Sequence, residues 1–73
     1  MDRRTFDRLT NMLKRQKQLK ARAETIEAVK IHLVDSIGIT QSARYMGVDK
    51  AALSRLVKRY IRLYEDLQES PGG

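Results

Sequence analysis

Gly47 is the residue that most constrains this chain. It stands four residues after Ala43 and two before Asp49, between two stretches whose apolar residues recur at helical spacing. A turn at that point needs a positive φ, which glycine adopts freely and a side chain penalises. Thr40 is placed to cap a short helix over 41–46, because its hydroxyl can accept from the free amides of the first turn. Ala43 is small, as a residue must be where two helices cross closely. Val48 fills the space beneath the turn. Asp49 can cap a second helix, and its charge suits the positive end of that helix. Leu53, Leu56 and Val57 follow at spacings of three and four, which gives the second helix one apolar face. Caps, small residue, glycine and spacing agree on a helix-turn-helix over residues 40–59. Ser42 departs from the usual pattern, since a larger apolar residue is common there; Ile39 and Met46 are expected to compensate.

The opposite face of the second helix carries Lys50, Ala51, Ser54, Arg55, Lys58 and Arg59. A small, polar and basic outer face is what a major groove accepts. Arg55, Lys50, Ser54 and Ala51 are the candidates for base contacts. Arg55 comes first, because a guanidinium matches the O6/N7 pair of guanine bidentately. Thr40, Gln41, Arg44, Lys58 and Arg59 are the candidates for the DNA backbone, where helix amides and small polar or basic side chains hold a protein without reading sequence. The plain alternative is a helical hairpin with a basic, solvated face.

Charge supports the first reading. Fifteen Lys and Arg against nine Asp and Glu give a formal net charge of +6. The isoelectric point is about 10.1, above the roughly 9 typical of nucleic-acid-binding domains. Seventy-three residues make one domain with a modest core, for which oligomerisation is a common remedy. The chain has no cysteine, so neither a disulfide nor a thiolate metal site can form within it, and one histidine, His32, is too few for a histidine cluster. No apolar run approaches the ~20 residues of a membrane span. No Gly-rich phosphate loop, pair of pocket carboxylates or nucleophile–base pair can be read, so an enzyme reading has no support. No cofactor, small-molecule ligand or membrane partner is expected, and the expected location is the bacterial cytoplasm, on the nucleoid.

Taken in order, the chain predicts an all-α domain of four helices. Thr5 is expected to cap helix one, with Asp7 in its first turn and Phe6, Leu9 and Leu13 on one face beside Met12. The basic run 14–22 contains no Gly or Pro, so helix one is expected to reach about Arg22. That run reads either as a solvated helix face or as a flank that contacts phosphates and releases counterions. Helix two is expected over 25–35, capped by Thr25. Its stripe of Ile26, Val29, Leu33 and Ile37 is widened by Ile31 and Val34, which makes it central to the core. His32 falls off that stripe and reads as a partly exposed surface residue. Gly38 is expected to close helix two in the left-handed conformation. Helix four is expected from Lys50 to about Gln68, with a frayed tail over 70–73.

The far end of helix four carries Tyr60, Ile61, Tyr64 and Leu67. This surplus apolar stripe either packs back on helix one in a monomer or pairs with its twin in a homodimer, and the dimer is the expectation. A two-fold dimer would place two recognition helices roughly 34–36 Å apart and demand a palindromic site.

Residues 25–59 resemble the plasmid-encoded KorA/TrfB family of transcriptional repressors. Thr25, Ile26 and Glu27, then Leu33, Val34 and Asp35, then Ala43, Gly47, Ala52, Ser54, Val57 and Arg59 carry the resemblance. Fimbrial-operon regulators of the PapB kind are similar around Leu33 and Val34. The resemblance implies operator binding as a dimer, with the residue after the recognition-helix serine, here Arg55, reading a base. No counterpart of that family's C-terminal dimerisation region is read in residues 1–73, so a dimer is expected to be built differently from the family's, from helix four. The expected function is therefore sequence-specific binding of double-stranded DNA, as a repressor of a plasmid, phage or mobile-element operon. The alternatives are an architectural or recombination-directionality factor, and a helical adaptor that docks a partner protein on helix four.

Overall fold

A computed structural model describes residues 1–68, which form α1 (Arg3–Arg15), α2 (Ala23–Leu33), α3 (Ile39–Met46) and α4 (Lys50–Gln68). The expected all-α, four-helix architecture is what the chain adopts; the tail 70–73 lies outside the described residues. α2 and α4 each contact the other three helices and so bridge α1 to α3.

One core joins the four helices. α1 contributes Phe6, Leu9 and Leu13, spaced three and four apart on one face. α4 contributes Leu53, Leu56, Val57 and Tyr60, α2 contributes Ala28 and Val29, and α3 contributes Ala43. The rings of Phe6 and Tyr60 stack with centroids 5.1 Å apart and planes 7° from parallel. Thr10 is buried beside them. Its Oγ1 donates to the Phe6 carbonyl at 3.0 Å, so the 2.7 Å contact with the Tyr60 hydroxyl must have the phenol as donor. Ser42 is fully buried, and its hydroxyl points at the Ile37 carbonyl, 3.4 Å away. Ile39 and Met46 pack against the core on either side of it, as expected.

Several boundaries differ from expectation. Asp2, not Thr5, caps α1: its carboxylate accepts from the Thr5 amide at 2.8 Å. That bond holds the Asp2 carboxyl below its usual range. α1 stops at Arg15 and does not run to Arg22. Lys17 takes φ 57°, and the Lys17 and Gln18 amides return to the carbonyls of Lys14 and Leu13, both at 3.0 Å. Burial explains the stop. At ~100° per residue, Leu19 on a continued helix would face roughly 130° away from the buried stripe, whereas in the turned chain Leu19 and Ala21 pack against the core. α2 begins at Ala23, so Thr25 lies in its first turn and the cap position falls to Arg22, which makes no side-chain bond. α2 ends at Leu33, and the left-handed residue after it is Ser36 at φ 60°, not Gly38. Gly38, at φ −55° and ψ 149°, is the cap position of α3, and Thr40 lies inside that helix. Ile37 leaves the α2 stripe and is exposed. His32 is half-buried, and its Nδ1 donates to the Ile37 carbonyl at 2.7 Å, tying the α2–α3 connection to α2.

Candidate nucleic-acid interface

The connection between α3 and α4 is residues 47–49. Gly47 sits at φ 65° and ψ 36°, as its place in the sequence requires. Its amide returns to the Arg44 carbonyl at 3.2 Å, and the Val48 amide returns to the Ala43 carbonyl at 2.9 Å. These paired bonds are a Schellman closure, which satisfies two of the carbonyls that α3 would otherwise leave free. Val48 packs against the core beneath the turn. Asp49 caps α4, its Oδ2 accepting from the Ala52 amide at 3.0 Å. The turn therefore fixes α4 to α3 by local bonds at both helix ends and by an apolar contact between them.

Burial of Leu53, Leu56, Val57 and Tyr60 decides which side of α4 faces out. Lys50, Ala51, Arg55, Lys58 and Arg59 are exposed and Ser54 is half-buried. Ala51, Arg55 and Lys58 recur at four and three residues and form one ridge. Arg62, also exposed, is the next member of that ridge. Sequence reasoning ended the basic face at Arg59 and missed Arg62, although the same spacing continues into it. On α3, Thr40, Gln41 and Arg44 are exposed. Tyr45 beside them is 81% exposed, another residue not singled out from the sequence.

Arg59 is engaged elsewhere than expected. Its Nη1 donates to the Gln18 carbonyl in the α1–α2 connection. The connection lies along one flank of α4, and the two enclose a shallow groove that includes Lys20, Arg22, Arg55 and Arg59, with the 47–49 turn at its end. A second groove on the same side includes Arg55, Lys58, Arg59 and Arg62. Two acidic side chains, Glu24 and Asp66, also line these grooves, and the third, Asp49, is occupied by its cap bond. Among the described residues the ion pair is Lys30 with Glu27, at 3.4 Å, and neither residue lines these grooves. No ion pair among the described residues joins the cations of the α4 ridge and the adjoining connection.

Tyr60 was expected at an interface between copies. It is 0% exposed, inside the chain's own core. Tyr64 is half-buried against that core, while Ile61 and Leu67 are each 37% exposed. The surplus stripe is thus shared: its first member closes the core, and its outer members remain on the surface. Among the described residues no group of three or more His, Cys, Asp or Glu side chains is placed to hold a metal ion, and no helix is long and apolar enough to cross a membrane. No family model, curated protein or solved structure matches the chain.

Proposed function

We propose that this chain is a sequence-specific binder of double-stranded DNA that regulates transcription, with α3, the 47–49 turn and α4 acting as a helix-turn-helix. The observation that carries the reading is the basic ridge of Ala51, Arg55, Lys58 and Arg62, presented by a helix whose base is locked by the Gly47 closure and the Asp49 cap. A helix presented this way suits the major groove, with its first two turns at base edges. Arg55 is assigned to a guanine, with Lys50, Ser54 and Ala51 beside it. Thr40, Gln41, Arg44 and Lys58 are assigned to the flanking phosphates. Repression of a plasmid, phage or mobile-element operon as a dimer on a palindromic site rests on the resemblance to KorA/TrfB repressors.

The competing reading is a helical adaptor, favoured by the exposure of Ile61 and Leu67 at the end of α4. Selection of bound fragments from random duplex DNA tests the first reading directly. A consensus should emerge, and binding to it should weaken steeply with salt. Arg55→Ala is expected to cost about 1–3 kcal/mol on the selected site and little on random duplex. Equal losses on both would make Arg55 a phosphate contact. Failure to enrich any sequence, together with partner binding that survives salt, would favour the adaptor.

A further inference from the structure

The basic run 14–22 is not the helix extension its composition suggests. Past Arg15 it becomes a strap lying against the flank of α4. Its residues alternate: Leu19 and Ala21 are half-buried against the core, while Gln18, Lys20 and Arg22 are exposed. That is the period of an extended segment, in which successive side chains point to opposite sides. Packing Leu19 and Ala21 inward therefore turns both Lys20 and Arg22 outward. The strap is also tied laterally, because Arg59 of α4 donates to the Gln18 carbonyl. A surface cation on a loose loop loses side-chain and backbone freedom when it binds. Here the backbone freedom is already spent in folding. Neither Lys20 nor Arg22 has an acidic partner among the described residues.

We infer that the strap over 16–22 is a second, sequence-independent contact surface for duplex DNA, in which Lys20 and Arg22 hold phosphates beside the groove that α4 enters and Arg59 is the positioning residue that sets the strap against α4. The inference rests on the DNA-binding reading and goes beyond it, since that reading needs only α3, the turn and α4. It also reassigns Arg59: its guanidinium acts on the Gln18 carbonyl, and through it on two other cations.

The test is the dependence of the binding constant on salt, measured for the full chain on the selected duplex and on random duplex. Each phosphate contact contributes about 0.9 to the slope of log K against log salt. The paired variant Lys20→Ala/Arg22→Ala should therefore lower the slope by about 1.8 on both duplexes, which shrinks the salt-induced loss between about 50 and 200 mM roughly tenfold, and should leave the preference for the selected site unchanged. Both side chains are exposed, so the core is not touched. The charge-conserving pair Lys20→Arg/Arg22→Lys should keep the wild-type slope. Arg59→Ala should lower the slope about as much as the paired alanine variant, and adding it to that variant should lower it no further. An unchanged slope in the paired alanine variant, with wild-type protein that binds DNA, overturns the strap as a contact surface and leaves the proposed function intact. An additive loss from Arg59→Ala overturns its positioning role and makes it a phosphate contact of its own. Wild-type protein that does not bind duplex DNA overturns both the strap and the function it rests on.

Discussion

At Gly47 a single backbone angle carries the junction between α3 and α4. A Cβ added there would meet nothing within 4 Å, yet φ is 65°. The cost of a side chain is therefore conformational, not steric crowding by neighbours. Gly47→Val is expected to destabilise by about 1–3 kcal/mol, the usual cost of holding a non-glycine residue in a sparsely populated region. Gly47→Asn should cost much less, because asparagine visits this region readily. Gly38 is the contrast. Its φ is −55° and its surroundings are equally open, so Gly38→Ser should be neutral or stabilising by a few tenths of a kcal/mol at the α3 cap. Thermal unfolding of the three variants checks this, and a Gly47→Val protein that melts like wild type would contradict it. The two glycines also mark what the sequence makes legible. Gly47 and Asp49 could be assigned because a left-handed turn and a helix cap are made by neighbouring residues. The other left-handed positions, Lys17 and Ser36, carry no such signature. For Lys17 the cause is the packing of Leu19 and Ala21 farther along the chain, and Ser36, not Gly38, takes the left-handed position after α2.

At the level of the helices, α4 has two jobs, and Tyr60 shows how they are divided. Its ring stacks on Phe6 and its hydroxyl donates to Thr10. Tyr60→Phe should cost only about 0.5–1.5 kcal/mol, the net worth of one hydrogen bond, because Thr10 keeps its bond to the Phe6 carbonyl. Tyr60→Ala should cost about 3–5 kcal/mol, as expected for a large aromatic removed from a core. Burial, with a smaller contribution from Asp7, pushes the Tyr60 phenol above its usual 10.0. The folded chain thus holds that proton more tightly than the unfolded chain. The associated stability is intact below about pH 10 and is lost as pH rises through the elevated folded value. Denaturant unfolding should show a steeper alkaline decline for wild type than for Tyr60→Phe, and identical declines would mean the phenol is not held this way. The helical periodicity of Leu53, Leu56 and Val57 was plain in the sequence. That Tyr60 continues this buried face inside one chain was not, because spacing alone does not say which partner covers a stripe. The end of α1 was hidden for a related reason. Lys14 to Arg22 all tolerate helix, and only the burial of Leu19 and Ala21 ends it at Arg15.

At the scale of the whole molecule, the described residues form a small, elongated body, 41 × 24 × 19 Å, and the chain carries a net charge of +6. Like charge on two copies opposes their association in free solution. What remains of the α4 stripe for a second copy is Ile61 and Leu67, each 37% exposed, with half-buried Tyr64 between them. Full burial of a large apolar side chain from an exposed state contributes about 1.5–3 kcal/mol, and most of each of these surfaces is already covered. Association costs about 4–15 kcal/mol in lost translational and rotational freedom. Without Tyr60 the stripe is too small to carry a tight dimer by itself. Under the proposed function the balance changes on a duplex, because two copies bound to neighbouring half-sites would meet at a high effective concentration. The expectation is a protein that sediments mainly as a monomer at low micromolar concentration and occupies a palindromic site as two copies with positive cooperativity. Ile61→Asp should abolish that cooperativity and also lower the melting temperature by a few degrees, since most of the side chain is already covered within the chain, so cooperativity is compared at a temperature where the variant is folded. Light scattering of the free protein and titration of one and two half-sites measure both halves of the claim. A stable dimer at micromolar concentration would mean that α4 buries more surface between copies than these side chains supply. Independent filling of the two half-sites by wild-type protein would remove the pairing role from Ile61 and Leu67.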